Sequence, residues 1–212
     1  MKTYTLLLGL TLLFISCGEA PKKDTAQQGE KSTEKKDDVT ESLPSADYSS
    51  LLIDYTCGMD AAELAKAMKV PESNLSIPDY AKKPSFAETG NCYFSLKGFG
   101  TGAGGDTGIS MGTTKMTKVD IKNEINGYLK RKKDGLEKIT KMYIVEADTK
   151  DSYIATQLRQ GRVIILNENY DNAFLIAYGT RNAATDRTQE QHEALTQKMV
   201  GLANYLLKKH RK

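Results

Sequence analysis

The residues best suited to chemistry in this chain are three cysteines, two histidines, a glycine-rich stretch and a few clusters of like charge. Cys57 and Cys92 stand 35 positions apart, and an oxidising compartment would join them. Closing that loop would stabilise a fold by roughly 3 to 4 kcal/mol if the effect is chain entropy. They do not form a Cys-x-x-Cys motif, so a redox role is not expected. His192 and His210 are 18 positions apart, too far for two ligands on one helix face, and no metal pair follows. Glu146, Asp148 and Asp151 offer oxygen ligands of the kind calcium takes, but Thr149 and Lys150 interrupt any ligand spacing and a solvated turn is expected. Ser32 and Lys35 match a Ser-x-x-Lys pattern within a polar segment that cannot hold a rigid nucleophile. No Ser/His/Asp or Cys/His order is present, so catalytic residues, metal ligands and cofactor contacts are all expected to be none.

The most unusual stretch is 98–105, Gly-Phe-Gly-Thr-Gly-Ala-Gly-Gly. Amides unobstructed by side chains can cradle a phosphate or carboxylate. Such loops open a helix, whereas 107–113 reads as a strand, so the expected role is a hairpin connection. Within it Phe99, Gly100, Gly102 and Gly104 are the candidate partner or ligand loop, with Phe99 as an exposed contact. Two basic runs, 130–133 and 208–212, suit anionic glycans, lipid head groups or an acidic protein surface. Both also fall at expected helix C-termini, where positive charge complements the macrodipole.

These residues sit in three unlike pieces. The 212-residue chain carries 30 basic and 27 acidic side chains, a net +3, which excludes a strongly basic nucleic-acid binder. The apolar run at 6–15 is too short to span a bilayer and reads as an export signal. Its end, Phe14-Ile15-Ser16-Cys17, resembles the lipobox of bacterial lipoproteins. The resemblance implies a removed signal peptide at 1–16, palmitate-type lipidation of Cys17, and attachment to a membrane through acyl chains. Gly18 resembles the position that forwards lipoproteins to the outer membrane. The leader and the following tail are similar to those of Bacteroidota lipoproteins, and Asp24-Thr25-Ala26 resembles their O-glycosylation acceptor. Residues 17–47 are expected to be a lipidated, disordered tether with a net charge of −3 from position 18 onward, because they cannot bury enough apolar surface to offset ordering entropy. Residues 48–212, with net +5, are long enough for one core.

The pattern of that domain predicts helices beginning near Ala61, Thr117 and Thr188, with strands at 92–97, 107–113, 139–147, 153–158, 162–166 and 173–178. Residues 71–91, with three prolines, read as a loop. The fold class is therefore α+β, an antiparallel sheet of about six strands with three helices packed on it. This order, with a Cys before the first helix and a Cys opening the first strand, resembles the PsbP-like α/β/α sandwich, whose members are mostly binding or assembly factors. The leading expectation is a lipid-anchored, non-enzymatic binding domain of the cell envelope with a protein or glycan partner and no nucleic acid. The alternative is a solute-binding protein or enzyme with its site near residues 98–105. A third is a structural subunit recruited through an exposed sheet face.

Overall fold

A computed structural model describes residues 46–83, 85, 90–99, 107–179 and 187–212. They belong to a compact unit spanning Ser42–Lys212; Cys17 and the tether lie outside the described residues. The helices are α1 (Ser49–Leu52), α2 (Ala61–Met68), α3 (Lys118–Lys133), α4 (Glu137–Thr140) and α5 (Gln189–His210). The strands are β1 (Leu75–Ser76), β2 (Cys92–Leu96), β3 (Thr107–Lys115), β4 (Met142–Glu146), β5 (Tyr153–Gln157), β6 (Arg162–Leu166) and β7 (Asn172–Ala177). One antiparallel sheet runs in the order β1-β2-β3-β7-β6-β5-β4. The last four strands form a meander, joined to the β2–β3 hairpin where Ser110 pairs with Ala177.

The side-chain period of two divides the sheet residues between two cores. On one face Phe94, Ile109, Met111, Phe174, Ile176, Val163 and Ile165 pack under α1, α2 and α5. On the other, Ile144, Ala155, Leu166 and Ala173 pack under Ile121, Ile125 and Tyr128 of α3. The fold is thus α+β with helices on both faces, in agreement with the expected class. The counts differ. β1 lies inside the segment read as a loop, where two residues pair Leu75 with Leu96 and are too few to show any alternation. Residues 139–140 belong to a helical turn rather than to the strand that follows, because Gly135 at φ 68° ends α3 and the chain turns once more through α4. Ile139 is consequently 68% exposed.

Three helix starts obey their local chemistry. Asp60 accepts a bond from the Glu63 amide at 2.7 Å, Thr117 accepts from Asp120, and Thr188 forms a reciprocal capping box with Gln191. Cys57 and Cys92 are joined in a disulfide, which ties the approach to α2 to the start of β2.

The chain enters and leaves the domain at one pole. Asp47 and Lys212 exchange main-chain hydrogen bonds at 3.0 Å, and the hydroxyl of fully buried Tyr48 donates to Asp151 at 2.8 Å. Asp151 also accepts from Thr149 at 2.7 Å and Arg211 at 3.3 Å. Partial burial would raise its pKa, but the bonds from Thr149, Tyr48 and Arg211 outweigh burial and hold it below the ordinary aspartate value. A carboxyl depressed in this way contributes stability above its unfolded pKa of about 4 and loses that contribution as pH falls through the folded value. Asp151→Ala should cost about 1–3 kcal/mol at neutral pH by stranding the Tyr48 hydroxyl. Urea unfolding at pH 7 and pH 3 checks this: Asp151→Asn should flatten the acid loss, and a slope equal to that of the parent would refute the assignment.

Candidate functional site

The helix layer is narrower than the sheet. α5 runs over β5 and β6 but leaves the outer strand β4 as a shelf, on which Tyr143 and Val145 point to the same side as Ile154 and Thr156 of β5. Between shelf and helix lies a cleft of about 350 Å³, walled by Glu193, Gln197 and Val200 and floored by Ile154, Thr156 and Leu158. That volume lies in the range of about 300–1,000 Å³ usual for small-ligand sites. Val145 is 44% exposed, so the cleft opens along the β4 edge. A second recess of about 260 Å³ continues past Leu158 and is lined by Lys141, Arg159, Gln189 and His192. Gln189, Glu193, Gln197 and Val200 recur at helical spacing along one flank of α5, and Leu158 lines both recesses, so the two adjoin as a groove along that flank.

The end of the groove at His192 is fixed by a buried polar cluster. Arg187, 5% exposed, directs Nε to the Phe99 carbonyl at 2.9 Å. One terminal nitrogen reaches the Gly179 carbonyl and His192 Nδ1, at 3.3 and 3.0 Å. The other reaches Thr107 Oγ1 and the Tyr178 carbonyl, at 3.0 and 3.5 Å. All five N–H donors are thereby matched to neutral acceptors. Burial lowers the Arg187 pKa from its ordinary value. Because arginine only donates, His192 Nδ1 must accept, and its Nε2–H then donates to the Leu158 carbonyl at 2.7 Å. The imidazole is a neutral Nε2–H tautomer with both nitrogens engaged. Thr196 donates to the His192 carbonyl at 2.8 Å and so accepts from the Tyr178 hydroxyl at 2.6 Å. This chain of bonds locks the first turns of α5 to the sheet.

The residues singled out by sequence fall in different places. Phe99 is half-buried against the main core, not exposed as expected, because its carbonyl is drawn in by Arg187; Gly100, Gly102 and Gly104 lie outside the described residues. His210 is held at the end of α5 by Ser50 at 3.0 Å and faces Tyr55. Burial lowers its pKa. The acidic turn is engaged within the domain: Glu146 pairs with Lys150, Asp148 with Lys208 and Asp151 with Arg211. Lys209 pairs with Glu63 at 2.6 Å, so the C-terminal basic run serves the fold. Among the described residues no cluster of His, Cys, Asp or Glu has the geometry to hold a metal ion, and no helix is long and apolar enough to cross a membrane.

At the free edge of β4 one residue's backbone is engaged by side chains. The Ile144 amide donates to Glu137 at 3.4 Å and the Ile144 carbonyl accepts from Lys132 at 3.5 Å. Side chains from α3 and α4 thus cover the edge at Ile144, where they oppose strand addition. The opposite face of the sheet has its own shallow recess of about 250 Å³ beside Ser110, Gly112 and Leu175. Asn91 Oδ1 there fills the space that a Cβ on Gly112 would need. The α5–β4 groove is larger, at about 350 Å³ against about 250 Å³. No protein-family model, characterised protein or solved structure matches the chain.

Proposed function

We propose that this protein is a lipid-anchored, non-enzymatic binding domain of the bacterial cell envelope, placed at the outer membrane by Cys17 and a tether, with the α5–β4 groove as its binding site. The observation that carries the reading is the groove itself: a cleft of about 350 Å³ lined by Tyr143, Val145, Ile154, Leu158 and Val200, adjoined by a recess whose one imidazole, His192, has both nitrogens committed to the fold. Such a lining favours binding over acid–base chemistry. A PsbP-like layout, with helices on both faces of an antiparallel sheet, is in keeping with this role.

The test is site-specific photo-cross-linking in the anchored protein. A benzophenone side chain replacing Tyr143 in the groove should give a discrete adduct in native membranes. The same group at exposed Lys122 on α3 should give none. Absence of an adduct at Tyr143, or equal labelling at both positions, would refute the groove as the site. Palmitate labelling of the parent that vanishes in Cys17→Ala tests the anchor, and labelling that persists would overturn it.

A further inference from the structure

We infer that the groove takes an anionic amphiphile, with the acidic head at Lys141 and Arg159 and the apolar chain along Tyr143 and Val145. The inference rests on the groove being the binding site. Its two ends differ in chemistry. At one, Lys141 and Arg159 line the recess beside Leu158. Arg159 donates to the Ile139 carbonyl at 3.1 Å, which fixes the guanidinium at the mouth and leaves further N–H groups for a ligand. The Lys141 ammonium has no ion pair among the described residues. Glu193, on the helix wall of the main cleft, accepts from Gln189 at 2.6 Å.

At the other end the lining is Val145, Ile154 and Val200. From Lys141 to Val145 the strand advances roughly 13 Å at about 3.3 Å per residue, and the α5 flank from Gln189 to Val200 advances about 17 Å at 1.5 Å per residue. A ligand complementary to this surface is long, narrow and apolar with its negative charge at one tip. A second feature points the same way. Ile139 is 68% and Leu136 40% exposed beside this mouth, flanked by Lys133 and Lys138. Exposed apolar side chains beside lysines are an arrangement that can meet an anionic lipid layer, although Asp134 and Glu137 stand among these lysines. A peptide added as a strand at the β4 edge would have to displace the bonds of the Ile144 amide and carbonyl. Free fatty acids and single-chain phospholipids share the required chemistry.

Calorimetric titration of the full chain carrying Cys17→Ala tests this with laurate, lysophosphatidylglycerol and the neutral dodecyl maltoside, each below its micelle concentration. Laurate or lysophosphatidylglycerol should bind at least tenfold more tightly than the maltoside, and the tighter of the two identifies the source. Lys141→Gln/Arg159→Gln should weaken the anionic ligands about tenfold and leave the maltoside within twofold, with an unchanged melting temperature as the control for folding. Val145→Asp should weaken all three. Equal affinity for the maltoside, or anionic binding indifferent to the double variant, overturns the inference while leaving the groove as a site. So does a Tyr143 adduct to a protein with no amphiphile bound. No amphiphile binding together with no adduct at Tyr143 removes both.

Discussion

Replacing Arg187 with alanine is expected to lower the unfolding free energy by about 3–5 kcal/mol, because several buried neutral acceptors lose their donor together. Five acceptors lose their donor at once: the carbonyls of Phe99, Tyr178 and Gly179, the Thr107 hydroxyl and His192 Nδ1. Each stranded buried group costs about 1–3 kcal/mol where water cannot replace the donor, and Thr107 and His192 are both 2% exposed. Water entering the vacated volume will recover part of that sum, which sets the upper end. For a domain of this size the loss corresponds to a fall in Tm of roughly 6–20 °C. Arg187→Lys should be intermediate, since an ammonium supplies three donors without the planar fork. Hydrogen exchange should show lost protection at Gly161 and in the first turns of α5 in the alanine variant. A shift below about 2 °C would mean that the cluster is not holding the helix.

Sequence gave no warning of this residue. Arg187 stands in a polar stretch before a helix, where a charged side chain ordinarily faces water, and its acceptors come from four separate parts of the chain. What sequence did reveal was what is locally encoded. The meander strands were legible because Val, Ile, Tyr and Phe runs are separated by turn residues, and the caps at Asp60, Thr117 and Thr188 because capping is settled within four residues. Errors came where neighbouring elements share composition. Ile139 adjoins the apolar strand, yet its helical turn is dictated by Gly135, which ends α3, and by Lys141 in the left-handed region at φ 57°. The groove was illegible for a different reason. Tyr143 and Val145 alternate as any strand would, and only the pairing order, which places β4 at an edge beyond the reach of α5, turns them into a site.

Removing the Cys57–Cys92 bridge is the other large effect. The two residues are 35 apart in sequence, so the chain-entropy model assigns the cross-link about 4 kcal/mol, or roughly 8–16 °C in Tm. The two ends are not equivalent. Cys57 is exposed, whereas Cys92 is 1% exposed and its sulfur lies 3.1 Å from the Tyr55 hydroxyl. Tyr55 packs edge-on against Phe174 at 4.7 Å, and burial pushes its phenol well above the ordinary value, so it stays a neutral donor. Cys57→Ser should therefore lose the cross-link alone. Cys92→Ser loses it and also places a hydroxyl in the core, and should be less stable by about a further 1 kcal/mol. Urea unfolding of both variants, and of the parent with and without reductant, checks the order. If the reduced parent melts within about 2 °C of the oxidised form, the bridge is not what stabilises the domain. If the full loss is seen, chain retained in a reducing compartment by deletion of residues 1–16 should be cleaved by protease faster than exported chain, because the cross-link that offsets the entropy of that 35-residue loop forms only where thiols are oxidised.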